Sequence, residues 1–479
     1  DGGIIARTNP LIIEDRDLVH YWGDMHGQSE ETIGTGSARE YFAFARDRAW
    51  VDACGHQGND FQISDEFWAE LNRITAEFDA PGSFVAMPGY EWSGNTALGG
   101  DRNVYFQNEG RIIRRSSHAL IEDQTTADTD CTTAGELFEA FAENGEFDVV
   151  CYAHCGGRYA DIGVAHDGRF EKSVEVHSSW GTFEWLLHDA FKLGYRVGVV
   201  CNSDGHKGRP GASYPGAGKF GAIGGLTCFS TAELSRAALL DCMRKRRHYG
   251  TTGGDGGRMV LRMDAAFEGE GTLYHDDPAL MDSTSVATRS ATMGDIVNLP
   301  GGGMELSVSV DTNSPIIRVD IFNGLDLIET VRPYGEEDLG ARLRLHWEKA
   351  VPVNFFNRDK TLDQNSETEL SWKALTTGNF GGADLYLKDA ASGTLSVKTP
   401  LISCDLDIAK IGLEDTVLDA SGELPRFLKL YRLPDVNPHT SFSFTRKIAL
   451  KPEGDNPIYI RVEQDDGTRA WTSPIYVYR

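Results

Sequence analysis

The sequence predicts an α/β first half followed by an all-β second half, on two textures and the joint between them. Up to about residue 250, short apolar runs alternate with helix-period segments, the pattern of parallel strands joined by helices in a barrel or an open sheet. Beyond residue 258 the apolar positions recur every second residue, the period of half-buried strands, which reads as a sandwich. Between them "TTGGDGG", 251–257, is a glycine-rich joint. The boundary is placed there, giving units 1–257 and 258–479.

Taken in order, "VHYWGDMH" is the first strand. Ser37 opens a helix in "SAREYFAFARDRAW", with Glu40 three places on to complete a capping box. "VDACGH" is a short strand, "SDEFWAELNRITAEF" a helix, and "SFVAMPGYE" and "NVYFQ" strands. The helix "TAGELFEAFAENG" leads to the strands "DVVCYAH" and "SVEVHSS", and the helix "TFEWLLHDAFKLG" to "RVGVVCNSDGH". That makes seven strand candidates. The helix "AELSRAALLDCMRKRRHYG" closes the half, its basic end suiting the negative end of the helix dipole. In the second half "MELSVSVDT", "PIIRVDIFNG", "ARLRLHW", "GTLSVKT", "SFSFTRKIAL" and "PIYIRVEQ" alternate as strands. "DDGT", 465–468, is a hairpin turn leading into "RAWTSPIYVYR". Residues 268–303 have little periodicity and read as a long loop or insertion.

Composition narrows the function. The chain has 479 residues, 40% hydrophobic and 25% charged, usual for a soluble protein of two or three domains. No apolar run is long enough to span a bilayer, so no membrane partner is expected. The net charge of -26 opposes a phosphate-backbone footprint, so no nucleic acid is expected either. A small anionic substrate stays open, since a pocket can oppose the global sign. Asp1 is read as a processed or truncated start, which leaves the compartment between cytoplasm and periplasm. The eight cysteines form no C-x-x-C pair and read as buried free thiols.

The chemistry concentrates at strand ends. Ten of the 13 histidines precede residue 250. His26, His56, Glu91, His154, His177, Asp204 and His206 each follow or end a strand, the edge on which α/β barrels build active sites. Asp204 and His206 are two apart across Gly205, so a carboxylate and an imidazole converge on one point, which suits a divalent metal. Alone, each is an ordinary strand-end cap or a hydrogen-bonded structural histidine. Their joint occurrence at successive strand ends carries the metal reading. "VEVHSS" puts Glu175 and His177 on one face by strand period, and "GDMHGQS" does the same for Asp24, His26 and Gln28.

In this order D-M-H-x-Q, His56, P-G-Y-E, A-H and S-D-G-H resemble the motifs of the polymerase and histidinol phosphatase (PHP) superfamily. The resemblance runs from about Tyr21 to Arg479. It is nearest to a branch of largely unassigned function marked here by "GDMHGQS", "DRNVYF", "RRHYGTTGG" and "VNPHTSFSF". Carbaryl-type carbamate hydrolases are related to it. It implies a distorted (β/α)7 barrel binding one to three manganese, zinc or iron ions. It also implies His26, Glu91, His154, Asp204 and His206 as ligands, with Glu91 bridging. Asp101 stands where relatives more often have His. His56 departs from the usual T-D-H, so "CGHQGND" also offers Asn59 or Asp60. His177 is a further ligand candidate. Gln28 replaces the second histidine of H-x-H and is either a weak ligand or a substrate contact.

Three functions compete on this sequence. The first is a metal-dependent phosphoesterase in which Asp204 and Glu91 serve the metal-activated water and Arg102, Arg158, Lys207 and Arg209 bind an anionic substrate. Arg158 is also placed among the catalytic groups. Carbamate, ester or amide hydrolysis is the second. A non-catalytic protein with a structural metal is the third, and it predicts a closed coordination shell.

Overall fold

In the computed structural model of the chain, residues 9–10, 17–212, 222–254, 257–348, 360–364, 370–374, 380–399, 401–420 and 426–479 are described. Gly256 and Asp255 of the glycine-rich joint lie outside them. The helices start where the sequence places caps. Ser37 accepts from the Glu40 amide and Glu40 answers at the Ser37 amide, opening Ala38–Phe44. Thr133 and Glu136 do the same for Ala134–Glu143, and Ser64 caps Asp65–Phe78. On the last helix Trp68, Leu71, Ile74 and Phe78 are buried, one stripe at helical spacing.

Two sheets carry the first half. Val19–Asp24, Ala53–Gly55 and Val85–Met87 run parallel. Val150–Ala153, Glu171–Ser178 and Gly198–Cys201 form a second parallel set, extended antiparallel by Asp101–Tyr105 and Gly89–Ser93. The seven expected strands therefore divide between two ladders, six in parallel sets and Asp101–Tyr105 antiparallel, and do not pair as a single ring. Leu226–Thr231 and His248–Thr251 add two antiparallel strands to the first ladder. The closing helix is accordingly shorter than expected, Arg236–Arg244, because the four residues His248–Thr251 are all buried in the sheet.

The second half is all β. Met304–Asp311 buries every other residue from Met304 to Val310, as the period-two reading requires. The expected loop at 268–303 is instead a bulged strand, Val260–Tyr274, paired with Ser285–Thr292 and Ile296–Asn298. Ser285–Thr292 is exposed along most of its length, so it carries no apolar alternation to read. The turn at 465–468 joins Asp455–Gln464 to Arg469–Thr472 as an antiparallel hairpin.

The halves are joined by backbone. Arg469–Thr472 pairs with His248–Thr251, so one sheet runs from Val85–Met87 into the C-terminal strands. A single apolar core holds Trp22, Tyr249, Leu261 and Val477 together. Arg196 bonds Asp455 at 2.8 Å and Arg461 bonds Glu184 at 2.7 Å across the same seam. Among the described residues no helix is long and apolar enough to cross a membrane. The described cysteines are free, and all but Cys404 are buried.

Candidate metal centre

The centre is assembled by loops that tie strand ends together. Asp204 N donates to His26 O (2.8 Å) and Gln28 N to Gly205 O (3.0 Å), which locks the loop after Val19–Asp24 to the loop after Gly198–Cys201. Glu91 N donates to Gly58 O, which brings in the Glu91 strand. Asp101 begins its strand, but that strand runs antiparallel to Val150–Ala153, so its start lies beside His154. Asp204 sits at φ 46°, a left-handed conformation uncommon outside glycine and tolerated by aspartate.

The imidazole Nε2 atoms converge on carboxylates. Asp204 Oδ1 lies 3.4 Å from His26 Nε2 and 3.1 Å from His206 Nε2, and Asp204 Oδ2 lies 3.3 Å from His154 Nε2. Glu91 Oε2 is 3.5 Å from His26 Nε2. Within the described residues two groups keep their ligand atoms inside 4.8 Å: His26, His154 and Glu175, and Glu91, Asp101 and His154. All of these side chains are buried.

Four carboxylates buried together cost several kcal/mol each unless positive charge faces them. Here protonated imidazoles supply part of it. Burial and His26 act to lower the pKa of His154, but Glu175 and Asp204 outweigh them and push it up to about 10. Burial would raise Glu175, but His154 and His26 hold it at about 2. Burial and then Glu91 drive Asp101 well above the carboxylate range. A divalent cation would replace those protons.

Three observations fit such a cation. His26 Nε2 is buried among carboxylates and makes no hydrogen bond. A Cβ on Gly156 would lie 2.5 Å from His154 Nε2 and 3.3 Å from Asp204 Oδ2, so only glycine leaves that space open. Imidazole nitrogens with carboxylate oxygens are a donor set for zinc, manganese or iron.

The structure sorts the sequence candidates. His26, Glu91, Asp101, His154, Asp204 and His206 come together. His177 does not. Its Nδ1 meets Thr182 Oγ1 at 2.9 Å and its Nε2 meets Ile223 O at 2.8 Å, leaving neither nitrogen for a metal. His56 stands outside both groups, with Nε2 bound to Ser29 Oγ at 2.7 Å and Nδ1 unpartnered. Asp60 is spent on the amides of Ser93 and Ser116.

The substrate contacts are corrected too. Arg102 is fully buried, ion-paired with Glu171 at 2.5 Å and bonded to backbone carbonyls, so it cannot meet a substrate. Gln28 is 2% exposed; its nitrogen donates to Glu91 Oε2 (3.3 Å) and its oxygen accepts from Thr32 (2.9 Å), so it steadies Glu91. Arg158 is partly exposed, with Nε 3.4 Å from Asp101 Oδ1. Lys207 and Arg209 are exposed on the loop after His206.

Glu175, Asn103 and Trp180 join the centre without being sequence candidates, and Asn59, offered beside His56, bonds Glu91. Glu175 accepts from His154 Nδ1 at 2.7 Å and from Asn202 Nδ2 at 2.7 Å. It sits on the Nδ1 side of His154, away from the convergent Nε2 atoms, and so fixes that ring's tautomer and aim. Asn103 meets His26 Nδ1 at 3.0 Å. Asn59 Nδ2 reaches Glu91 Oε2 at 3.2 Å, and Trp180 Nε1 donates to Asp204 Oδ2 at 2.5 Å. Strand period carried a signal for Glu175 and for Asn103, two residues after Asp101. None existed for Trp180.

Residues 5–157 match the family described as Protein of unknown function (DUF3604). An uncharacterized protein of Chlamydia pneumoniae is 22% identical over 254 residues, covering 48% of this chain. The match spans 39% of that relative's length. A solved two-domain protein from Bacteroides vulgatus, containing a predicted PHP-like metal-dependent phosphoesterase, overlays 65% of this chain and 95% of its own. The identity there is 10% and the TM-score 0.36, too low to establish a shared fold.

Proposed function

We propose that the chain is a divalent-metal-dependent hydrolase of small anionic substrates, and specifically a phosphoesterase. One observation carries this reading: the Nε2 atoms of His26, His154 and His206 converge on Asp204, the first of them also on Glu91, with His26 Nε2 unsatisfied. His26, His154, His206, Glu91, Asp101 and Asp204 would hold one or two ions. A divalent cation supplies Lewis acidity and an acidified water there.

The chain's own groups do the rest. Asp204 and Glu91 are held in place by Trp180, Asn59 and Gln28, and Asp204 would be the base that takes the water's proton. Arg158 presents a guanidinium at the edge of the centre to substrate oxygens, and exposed Lys207 and Arg209 add attraction for an anion in an acidic molecule. We read the two parallel strand sets as an opened PHP-type barrel, with 1–257 as the catalytic unit and 258–479 as a sandwich-like β unit.

The test is elemental analysis of purified protein beside a panel of phosphomonoesters, phosphodiesters, aryl esters and aryl carbamates, with and without chelator. We expect bound divalent metal and chelator-sensitive phosphomonoester turnover. Glu91→Gln and His206→Ala should abolish turnover with circular dichroism unchanged. Turnover confined to carbamates or esters moves the reaction class. No metal, and no metal-restored turnover of any substrate, overturns the reading.

A further inference from the structure

Beside the centre lies a cleft of about 220 Å³ that none of the metal-facing groups occupies. Its floor is Ser93, two residues beyond Glu91 and held by the same Asn59 amide, at 2.7 Å. Arg158 forms the wall nearest the carboxylates. Its guanidinium lies over the Phe61 ring, 4.9 Å from the centroid, and points Nε at Asp101. Among the described residues the two Nη atoms have no hydrogen-bond partner, which leaves the guanidinium fork at the cleft free for a ligand oxygen.

An apolar face continues from the Phe61 ring beneath the guanidinium. Phe61, Leu98 and Leu120 line it, with Leu98 40% and Leu120 68% exposed. Single exposed leucines need no explanation. Two that converge with a phenyl ring on one cleft, next to a metal-like centre, form a surface that a ligand would cover. Ser117 at the rim accepts from the Ala119 amide and keeps its own proton for a ligand oxygen. The size is restrictive. A cavity of about 150 Å³ holds a benzene ring, so this open cleft of about 220 Å³ has room for one ring against its wall.

We propose that this cleft is the subsite for the alcohol portion of the substrate. It accepts a single ring, or a chain of similar bulk, against Phe61, Leu98 and Leu120, on a phosphomonoester whose oxygens face the Arg158 fork. This rests on the phosphoesterase reading and narrows it: phosphomonoesters with a ring or apolar chain next to the phosphate are the substrates the cleft favours.

Calorimetric titration of the manganese-loaded protein with phenylphosphonate and methylphosphonate tests it without turnover. Wild type should bind phenylphosphonate about tenfold more tightly, the scale of a partly buried ring. Ser117→Phe, which fills the cleft, and Leu120→Ala, which strips its apolar wall, should each weaken phenylphosphonate about tenfold and methylphosphonate less than about twofold. Leu120 is on the surface, so its variant decides the matter should Ser117→Phe fail to fold. Equal affinity for the two ligands, or a ratio unmoved by the variants, overturns the subsite and leaves the phosphoesterase reading standing. Binding of neither phosphonate overturns both.

Discussion

Two buried clusters of charge among the described residues are completed in different ways. At the strand ends of the first half, Glu91, Asp101, Glu175 and Asp204 face imidazoles, with the nearest guanidinium, Arg158, only at 3.4 Å from Asp101. In the second half, Asp320 lies 2.9 Å from both Arg318 and Arg461, Asp415 lies 2.7 Å from Arg318, and Glu463 lies 3.4 Å from Arg469. An arginine is always charged and forks onto a carboxylate, so the second cluster is neutralised by covalently fixed cations. An imidazole compensates a carboxylate only by holding a proton, and in giving up that proton it becomes a metal ligand. The first cluster can therefore exchange protons for a cation, and the second cannot. Burial and charge are shared; the type of cation separates a site from a girder.

The largest effect that would break this comparison belongs to the girder. Arg318→Met leaves Asp320 and Asp415 short of a partner, and removing one member of a buried pair costs about 3–5 kcal/mol. Urea denaturation should show that loss while metal content stays at the wild-type value. A fall in bound metal would mean the two clusters are not separate. A smaller effect comes from pH. Burial would raise Asp320, but Arg318 and Arg461 outweigh it and hold its pKa at about 2, below the ordinary 3.8. A depressed carboxylate contributes stability above its unfolded pKa and loses it as pH falls toward the folded one. The stability gap between wild type and Asp320→Asn should therefore close by about 2 kcal/mol between about pH 5 and pH 2. A gap that stays constant over that range removes the arginines as the cause.

What the sequence made legible follows the same physics. Helix caps and the alternation of Met304–Asp311 are local patterns, and the structure contains them at those residues; the strand-end residues His26, Glu91, His154, Asp204 and His206 lie close together. The misreadings have local causes. "VEVHSS" has strict period two, but the ladder slips between Glu175 and His177, so Glu175 stays at the centre and His177 turns to Thr182 and Ile223. Arg102, expected at the substrate, adjoins Asp101, but neighbours on a strand face opposite ways, and it is Asn103 that shares the Asp101 side. The pairing of Arg469–Thr472 with His248–Thr251 joins residues more than two hundred apart, which no local pattern encodes.

The smallest effect sharpens the first cluster from within. Glu175 is close enough to His26 and His154 to be taken for a ligand. Yet it lies 2.7 Å from His154 Nδ1, while Nε2 of that ring faces Asp204. If Glu175 orients the ring, Glu175→Gln keeps an acceptor for the Nδ1 proton but removes the charge behind it, and sets one NH2 group against Asn202 Nδ2. Metal stoichiometry should then survive at saturation, with affinity lowered about 10–100-fold, the usual cost of losing such a partner. Competition against a metal-binding dye measures both quantities in one titration. A ligand behaves differently: Glu91→Gln should lower the number of ions bound at saturation. Should Glu175→Gln also lower that number, Glu175 belongs to the coordination shell, and the division between imidazole nitrogens that bind and those that are held would have to be redrawn around it.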